Sequence, residues 1–263
     1  MRVSALRVTV AALLAALGLC AAAGAEVVQE NGLRVSFTGK VAPHALPRQG
    51  TAPVAVTLGG EISTSDGSEP PQLTTITVAI NRSGKLDYQG LPACRYHQIQ
   101  PASTREAIES CPDSVVGKGS FRAAVALPEQ SPFPSQGRIV AFNGNLHGER
   151  VLFAHIYGTE PLPQSTTIAF HYGRGSGAYG LTLNAELPQV AAEWGHVSGL
   201  ELTLGHEYRY RGKEHSYLAA GCAAPAGFPG AIFPFARASF GFEDGRVLAA
   251  TMTRSCSVEK APR

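Results

Sequence analysis

Alternation of apolar and polar residues with a period of two dominates this sequence. Two runs show it clearly: Ile76, Val78 and Ile80 alternate with Thr75, Thr77 and Ala79, and Leu200, Leu202 and Leu204 alternate with Glu201 and Thr203. Successive side chains of a β-strand point to opposite faces of its sheet, so these runs predict strands with one buried side and one solvent-facing side. Strands with one buried and one solvent-facing side are typical of antiparallel sheets.

Roughly eleven to thirteen strands are predicted in this way, which is too many for one open, twisted sheet. The 29 glycines and 18 prolines supply the residues needed for many short turns. We therefore expect an all-β fold of two packed antiparallel sheets, a jelly-roll or lectin-like sandwich. It is expected to form a single domain over residues 26–256, followed by a loose C-terminal tail over residues 257–263.

Helix signals are sparse. The segment Ser103-Thr104-Arg105-Glu106 matches a capping box, in which Ser103 caps the helix and Glu106 bonds back to the Ser103 amide. It predicts a short helix that ends near Ser110. A further turn or two of helix is expected over Pro188–Trp194.

The sharpest hairpin signal is Asp244-Gly245. A two-residue type I′ turn at this point would place Phe242 opposite Val247. In that register, Phe240 and Phe242 share one face of the sheet with Val247 and Ala249.

The N-terminus has the layout of a secretory signal peptide over residues 1–25. Arg2 and Arg7 precede an apolar run too short for a membrane span, and a small-residue site, Ala23-Gly24-Ala25, follows. The mature chain is then expected to be secreted or extracytoplasmic, without a transmembrane segment. Lipidation at Cys20 is the alternative, although the residue before such a cysteine is normally small and here it is Leu19.

Net charge gives no indication of a polyanionic partner. The whole chain has 22 Lys and Arg residues against 20 Asp and Glu residues, and removal of Arg2 and Arg7 leaves 20 of each. A neutral mature chain favours neither nucleic acid nor an anionic membrane surface as a partner.

Four cysteines follow the signal peptide, namely Cys94, Cys111, Cys222 and Cys256. Three pairings are possible. We favour Cys94–Cys111 and Cys222–Cys256, because each pair brackets one compact segment, and such bonds persist outside the cytoplasm. A zinc site is the alternative, but close Cys-x-x-Cys spacing is absent.

Several segments resemble a family of secreted, β-rich bacterial proteins that are uncharacterised. The resemblance lies in Leu91-Pro92-Ala93-Cys94, Cys111-Pro112 and Val116-Gly117-Lys118-Gly119, in the segment 227–240, and in Thr253-Arg254-Ser255-Cys256. It covers about residues 33–256 and implies one domain with paired cysteines. It implies no activity, cofactor or catalytic residue.

Metal-binding patterns are incomplete. His206-Glu207 begins like a zinc-protease motif, but the position of the second histidine is occupied by Tyr210. His155 and His171 lie on predicted neighbouring strands and could meet across a sheet, although structural histidines are the favoured interpretation. No metal site and no cofactor are expected.

Catalytic patterns are also incomplete. Gly175–Gly180 has the spacing G-x-G-x-x-G, but a strand follows it where a dinucleotide fingerprint needs a helix, so it is interpreted as a hairpin loop. Glu186 and Glu201 lie on outward strand faces and could form the carboxylate pair of a glycoside hydrolase. Solvated surface charge is the favoured interpretation, and no catalytic residue is assigned.

Aromatic residues cluster at one place in the sequence and form the candidate binding residues: Trp194, Tyr208, Tyr210 and Tyr217. Alternation places Tyr208 and Tyr210 on one strand face. Tyrosines combine an apolar ring with a polar hydroxyl, so they can stack on sugar rings or serve as packing edges, and packing is the favoured interpretation.

These observations together favour a secreted, non-catalytic β-sandwich that acts as a binding or structural module of the cell envelope or extracellular space. A glycan or a cell-envelope protein is the expected kind of partner. The alternative is a carbohydrate-active hydrolase on a lectin-like sandwich, with paired carboxylates in a groove.

Overall fold

A computed structural model describes residues 25–125, 132–160, 163–187 and 195–259. Strands make up 65% of the structure and helices 6%, so the predicted all-β class with short helices is confirmed. The first strands are β1 (Glu26–Glu30), β2 (Leu33–Ala42), β3 (Ala45–Leu46), β4 (Ala52–Pro53), β5 (Ala55–Thr64), β6 (Leu73–Asn81), β7 (Gly84–Leu86), β8 (Cys94–Arg95), β9 (Val115–Val125) and β10 (Phe133–Leu146). The others are β11 (Glu149–Gly158), β12 (Gln164–Arg174), β13 (Tyr179–Glu186), β14 (Gly195–Leu204), β15 (Glu207–Tyr210), β16 (Lys213–Ser216), β17 (Leu218–Ala220), β18 (Gly230–Phe242) and β19 (Val247–Val258). The helices are α1 (Tyr96–Ile99) and α2 (Thr104–Ser110), followed by a 3-10 turn at Pro112–Ser114.

The strands form one long hydrogen-bonded sheet. Its order is β1-β2-β5-β14-β9-β10-β11-β12-β13-β6-β18-β19-β3, and β8 pairs with β10 beside this path. Two small sheets accompany it, β4-β17-β7 and the hairpin β15-β16.

This long sheet is a correction to the predicted sandwich. The structure has a curled half-barrel of 13 strands and no clear division into two sheets. The middle strands β9 to β13 are consecutive antiparallel neighbours. β13 then pairs with β6, so the backbone hydrogen bonds continue without a break into β6, β18 and β19. Curling is a way for a sheet of this size to avoid an unstable flat form.

The main core fills the concave side, where β2 faces β18 and β19. The rings of Phe37 and Phe240 meet edge to face with 6.3 Å between their centroids. Leu33, Val35 and Met252 are fully buried beside them. Burial of such side chains stabilises the fold by about 1.5–3 kcal/mol each.

The two short helices pack on the opposite, outer face of β10 and β11. Alternation along β11 directs Leu152 into the main core, whereas Val151 and Phe153 point outward against the buried Ile99 of α1. These central strands are therefore covered on both sides. The capping box is present as predicted, since the Ser103 hydroxyl accepts from the Glu106 amide and α2 ends at Ser110.

Both disulfides have the predicted pairing. Cys94 and Cys111 bracket the helical segment with Cα atoms 5.7 Å apart, and Cys222 is joined to Cys256 on β19 with Cα atoms 5.8 Å apart.

The first residues of the segment expected to be a C-terminal tail lie in a strand. Ser257 and Val258 belong to β19 and pair in parallel with Ala45 and Leu46, because β3 supplies free backbone groups beside them. The amide of Glu259 also donates to the Leu46 carbonyl. Backbone hydrogen bonds therefore hold residues 257–259 in place.

The hairpin at Asp244-Gly245 differs from its prediction by one residue. Gly241, not Phe242, pairs with Val247, and the Phe242 amide donates to the Arg246 carbonyl at 2.9 Å. Only Gly245 of the loop has a positive φ, at 86°, which is typical of a three-residue loop with a glycine bulge. Consequently, Leu248, Ala250 and Met252 face the core with Phe240, and Val247 is 61% exposed.

The predicted signal peptide lies outside the described residues, apart from Ala25. Within the described parts of the chain, no helix has both the length and the hydropathy needed to cross a membrane.

Candidate functional site

Tyr208 and Tyr210 share one face of the β15-β16 hairpin, as predicted, but this face packs on the loop 87–91. The Tyr208 ring stacks between His206 and His215, with centroids 5.9 and 5.5 Å away, and its hydroxyl donates to the Gln89 carbonyl at 3.0 Å. Burial, with the charge of Asp87 nearby, raises the pKa of Tyr208.

Tyr210 is also a packing residue. A Cβ atom at Gly90 would lie 2.3 Å from its ring, so this glycine is needed for the close approach of the loop. Arg211 lies over the Tyr210 ring at 5.2 Å. The loop at Gly90 and the Arg211 guanidinium therefore both lie against this ring.

Tyr217, another of the predicted binding residues, does not join this face. Tyr217 is fully buried, and its hydroxyl lies 2.7 Å from the hydroxyl of Tyr172. Trp194 lies outside the described residues.

A cleft of about 840 Å³ lies elsewhere, on the outer face of β12, β13 and β6, and α1 forms one wall. This volume is within the range of about 300–1,000 Å³ that small-molecule sites occupy. Its lining is mainly hydroxyl and amide side chains: Thr75, Thr77, Gln100, Gln164, Ser165, Thr166, Thr167 and Asn184, with Tyr96, Ala169, His171, Ala185, Glu186 and Leu187.

Register explains why these side chains meet. Asn184 of β13 is paired with Thr77 of β6 on one side and with His171 of β12 on the other. Residues paired in this way lie side by side on the same face. Ile76 and Val78 lie in the core, so the alternating residues Thr75 and Thr77 point outward.

The floor of the cleft is held by hydrogen bonds between its own side chains. The Thr77 hydroxyl donates to Asn184 Oδ1 at 3.1 Å, and Asn184 Nδ2 donates to the Thr182 hydroxyl at 3.1 Å. One Nδ2 hydrogen of Asn184 and lone pairs on the Thr77 and Thr182 hydroxyls remain available for a ligand. The floor is therefore rigid and can still both donate and accept.

The helical wall is attached to the sheet through Gln100. Its Nε2 donates to the Ser165 carbonyl at 3.0 Å, and its Oε1 accepts from the Thr167 hydroxyl at 3.1 Å. Behind them, His155 is fully buried, with Nδ1 3.3 Å from that hydroxyl. Burial lowers the pKa of His155, so the neutral ring is favoured. Because the Thr167 hydroxyl gives its one hydrogen to Gln100, it can only accept from His155 Nδ1.

Tyr96 supplies the aromatic part of the wall. Its ring packs against Phe153 edge to face, with 6.1 Å between centroids, and 41% of the residue remains exposed. The disulfide Cys94–Cys111 closes the segment that carries this ring.

The structure brings neither suggested pair of titratable residues together. Glu186 on β13 and Glu201 on β14 are five strand steps apart in the sheet order, and the cleft lining contains Glu186 but not Glu201. His155 pairs with Thr167 and His171 with Val151, which separates the two rings by about 13 Å along the strands. Among the described residues, no group of three or more metal-binding side chains is present.

The concave side offers much less room. Its apolar hollow, lined by Val54, Leu152 and Phe235 among others, has a volume of about 50 Å³. This volume is well below the roughly 300–1,000 Å³ of typical small-molecule sites.

Comparisons with protein-family models, with curated proteins and with solved structures find no match to this chain. Sequence reasoning also missed the cleft, because its residues come from four distant elements. The available signal was the polar side of two strands, β6 and β13, where Thr75, Thr77 and Asn184 occupy outward positions that are often charged in surface strands.

Proposed function

We propose that this protein is a non-catalytic binding module of the cell envelope or extracellular space, and that it binds a saccharide in the cleft beside α1. The single observation that carries the proposal is the lining of hydroxyl and amide side chains beside one exposed tyrosine. Sugar hydroxyls both donate and accept, as these side chains do, and the apolar faces of sugar rings suit an aromatic wall. The two disulfides support an extracytoplasmic location.

A glycan array tests the proposal. We expect the purified protein to be retained by at least one glycan, and Tyr96→Ala and Asn184→Ala each to weaken retention about tenfold or more, a loss of about 1.4 kcal/mol. Phe228→Ala is the matched control, because Phe228 is 61% exposed and lies outside the cleft lining. Absence of retention by any glycan, or full retention by both cleft variants, would contradict the proposal.

The same array distinguishes the other candidates. Loss of retention in Tyr208→Ala or Tyr210→Ala, with the cleft variants unchanged, would move the site to the β15-β16 hairpin. Mass spectrometry of the retained glycan after incubation would detect shortened products, and their release would favour a hydrolase. Capture of a cell-envelope protein without any glycan would favour a protein partner.

A further inference from the structure

Negative charge predominates in the cleft. Its lining contains the carboxylate of Glu186 and neither lysine nor arginine among the described residues. Glu186 is exposed at the end of β13 and has no ion-pair partner in the described parts of the chain. The lining also contains His171, and Glu149 Oε2 lies 3.7 Å from its Nδ1.

Position makes Glu186 part of the recognition surface. It is paired with Thr75 and lies two residues from Asn184 on the same strand, so all three side chains share one face. An ionised carboxylate can only accept hydrogen bonds. A group bound beside Glu186 must therefore donate, as a hydroxyl or an ammonium group does.

We propose that Glu186 makes the cleft selective for neutral and amino sugars and excludes sugars that carry a carboxylate. This inference rests on the proposed saccharide site. A uronic acid carboxylate in the cleft would meet a like charge, with no lysine or arginine among the described lining residues to compensate it. Such repulsion is a common way to reject wrong ligands. A free amino group would meet a complementary charge at the same place.

The test uses matched oligosaccharides that differ only in charge. For each backbone the array retains, we compare the neutral form, the form with a free amine at C2 and the form oxidised to a carboxylate at C6. We expect the carboxylate form to bind about tenfold more weakly than the neutral form at low salt, and this difference to shrink at high salt.

Glu186→Gln should remove that discrimination. This variant is expected to bind the carboxylate form about tenfold better than the unaltered protein does, to lose the preference for the amine, and to bind the neutral form unchanged. Glu201→Gln, on the same outer surface but five strand steps away, is the control and should change nothing.

The outcomes separate the two proposals. Retention of neutral and carboxylate forms with equal affinity, or discrimination that survives in Glu186→Gln, overturns the selectivity but leaves the saccharide site. Absence of retention by any form overturns both.

Discussion

Two buried hydroxyls illustrate how individual polar atoms are accommodated at the residue scale. Tyr217 is fully buried, and its hydroxyl finds a partner 2.7 Å away in Tyr172. Burial raises the pKa of Tyr172 to about 12 and that of Tyr217 well above its ordinary value, so both remain neutral. One hydroxyl can therefore donate to the other.

Removal of both members of this pair should cost less than the sum of the two single removals. Tyr217→Phe leaves the Tyr172 hydroxyl without its protein partner, and we expect the free energy of unfolding to fall by about 1–2 kcal/mol. The double variant Tyr172→Phe/Tyr217→Phe should be less destabilised than the sum of the two single variants. Urea unfolding of all four proteins measures this, and strict additivity would contradict it.

His155 should make stability dependent on pH. Burial holds its folded pKa below the ordinary value of 6.5, so the unfolded chain takes up this proton first as the pH falls. Stability is thus unaffected by His155 well above pH 6.5 and decreases below it, by at most about 1.4 kcal/mol per pH unit. His155→Gln should show a shallower decrease in urea unfolding between pH 7 and pH 5.

The comparison isolates His155 from a second histidine. Burial also lowers the pKa of His196, with an opposing effect of Glu69, and this contribution is the same in both proteins. Identical pH slopes for the two proteins would contradict the prediction.

At the scale of elements, local chemistry determines where helices and turns begin and end. The Ser103 cap and the Asp244-Gly245 turn both lie where the sequence places them. The predicted two-residue geometry of this turn was nevertheless wrong, because the dipeptide Asp-Gly occurs in both two-residue and three-residue loops. The choice between them moves Val247 to solvent and Leu248 to the core.

Gly245 should be the most demanding position of this hairpin. Its φ of 86° disfavours any residue with a Cβ atom, while a Cβ there would touch nothing within 4 Å, so the cost of Gly245→Ala comes from the backbone alone. We expect a loss of about 1–2 kcal/mol in urea unfolding. Gly245→Asn should lose less, because asparagine enters the left-handed region more readily. Equal losses in the two variants would be evidence against this loop conformation.

At the scale of the whole molecule, side chains join the two ends of the curled sheet where no ladder does so among the described strands. Arg254 of β19 donates from Nε to the Gly39 carbonyl of β2 at 2.8 Å, and its Nη1 lies 3.8 Å from Glu26 Oε1. Arg246 donates to the Asn31 carbonyl at 3.2 Å. These contacts close the concave core.

Arg254→Ala should loosen this closure. Loss of a charged donor to the Gly39 carbonyl is expected to reduce the free energy of unfolding by about 1.5–3 kcal/mol. Amides of β1 and β2 should also exchange faster in hydrogen-exchange measurements. Arg209→Ala is the control, since its ion pair with Glu214 is exposed and should contribute less than about 1 kcal/mol. A loss no larger than that of the control would show that the ends are joined by other contacts.

The three scales differ in how far the sequence predicts them. Alternation identified which side of β6 is buried, because this depends on neighbouring residues alone. The two cysteine pairings also followed from short separations along the chain. The strand order did not follow, because the pairing of β13 with β6 joins segments about a hundred residues apart, which no local pattern specifies.

The sequence by itself determined the all-β class, the capped helix and the direction of alternating side chains in strands such as β6 and β14, since these depend on interactions between near neighbours. Only the tertiary structure decided that the strands form one curled sheet and that Tyr208 and Tyr210 are packing residues. The cleft also exists only in the folded chain, because β6, β12, β13 and α1 meet through long-range pairing that brings Thr77, Asn184 and Gln100 to one surface.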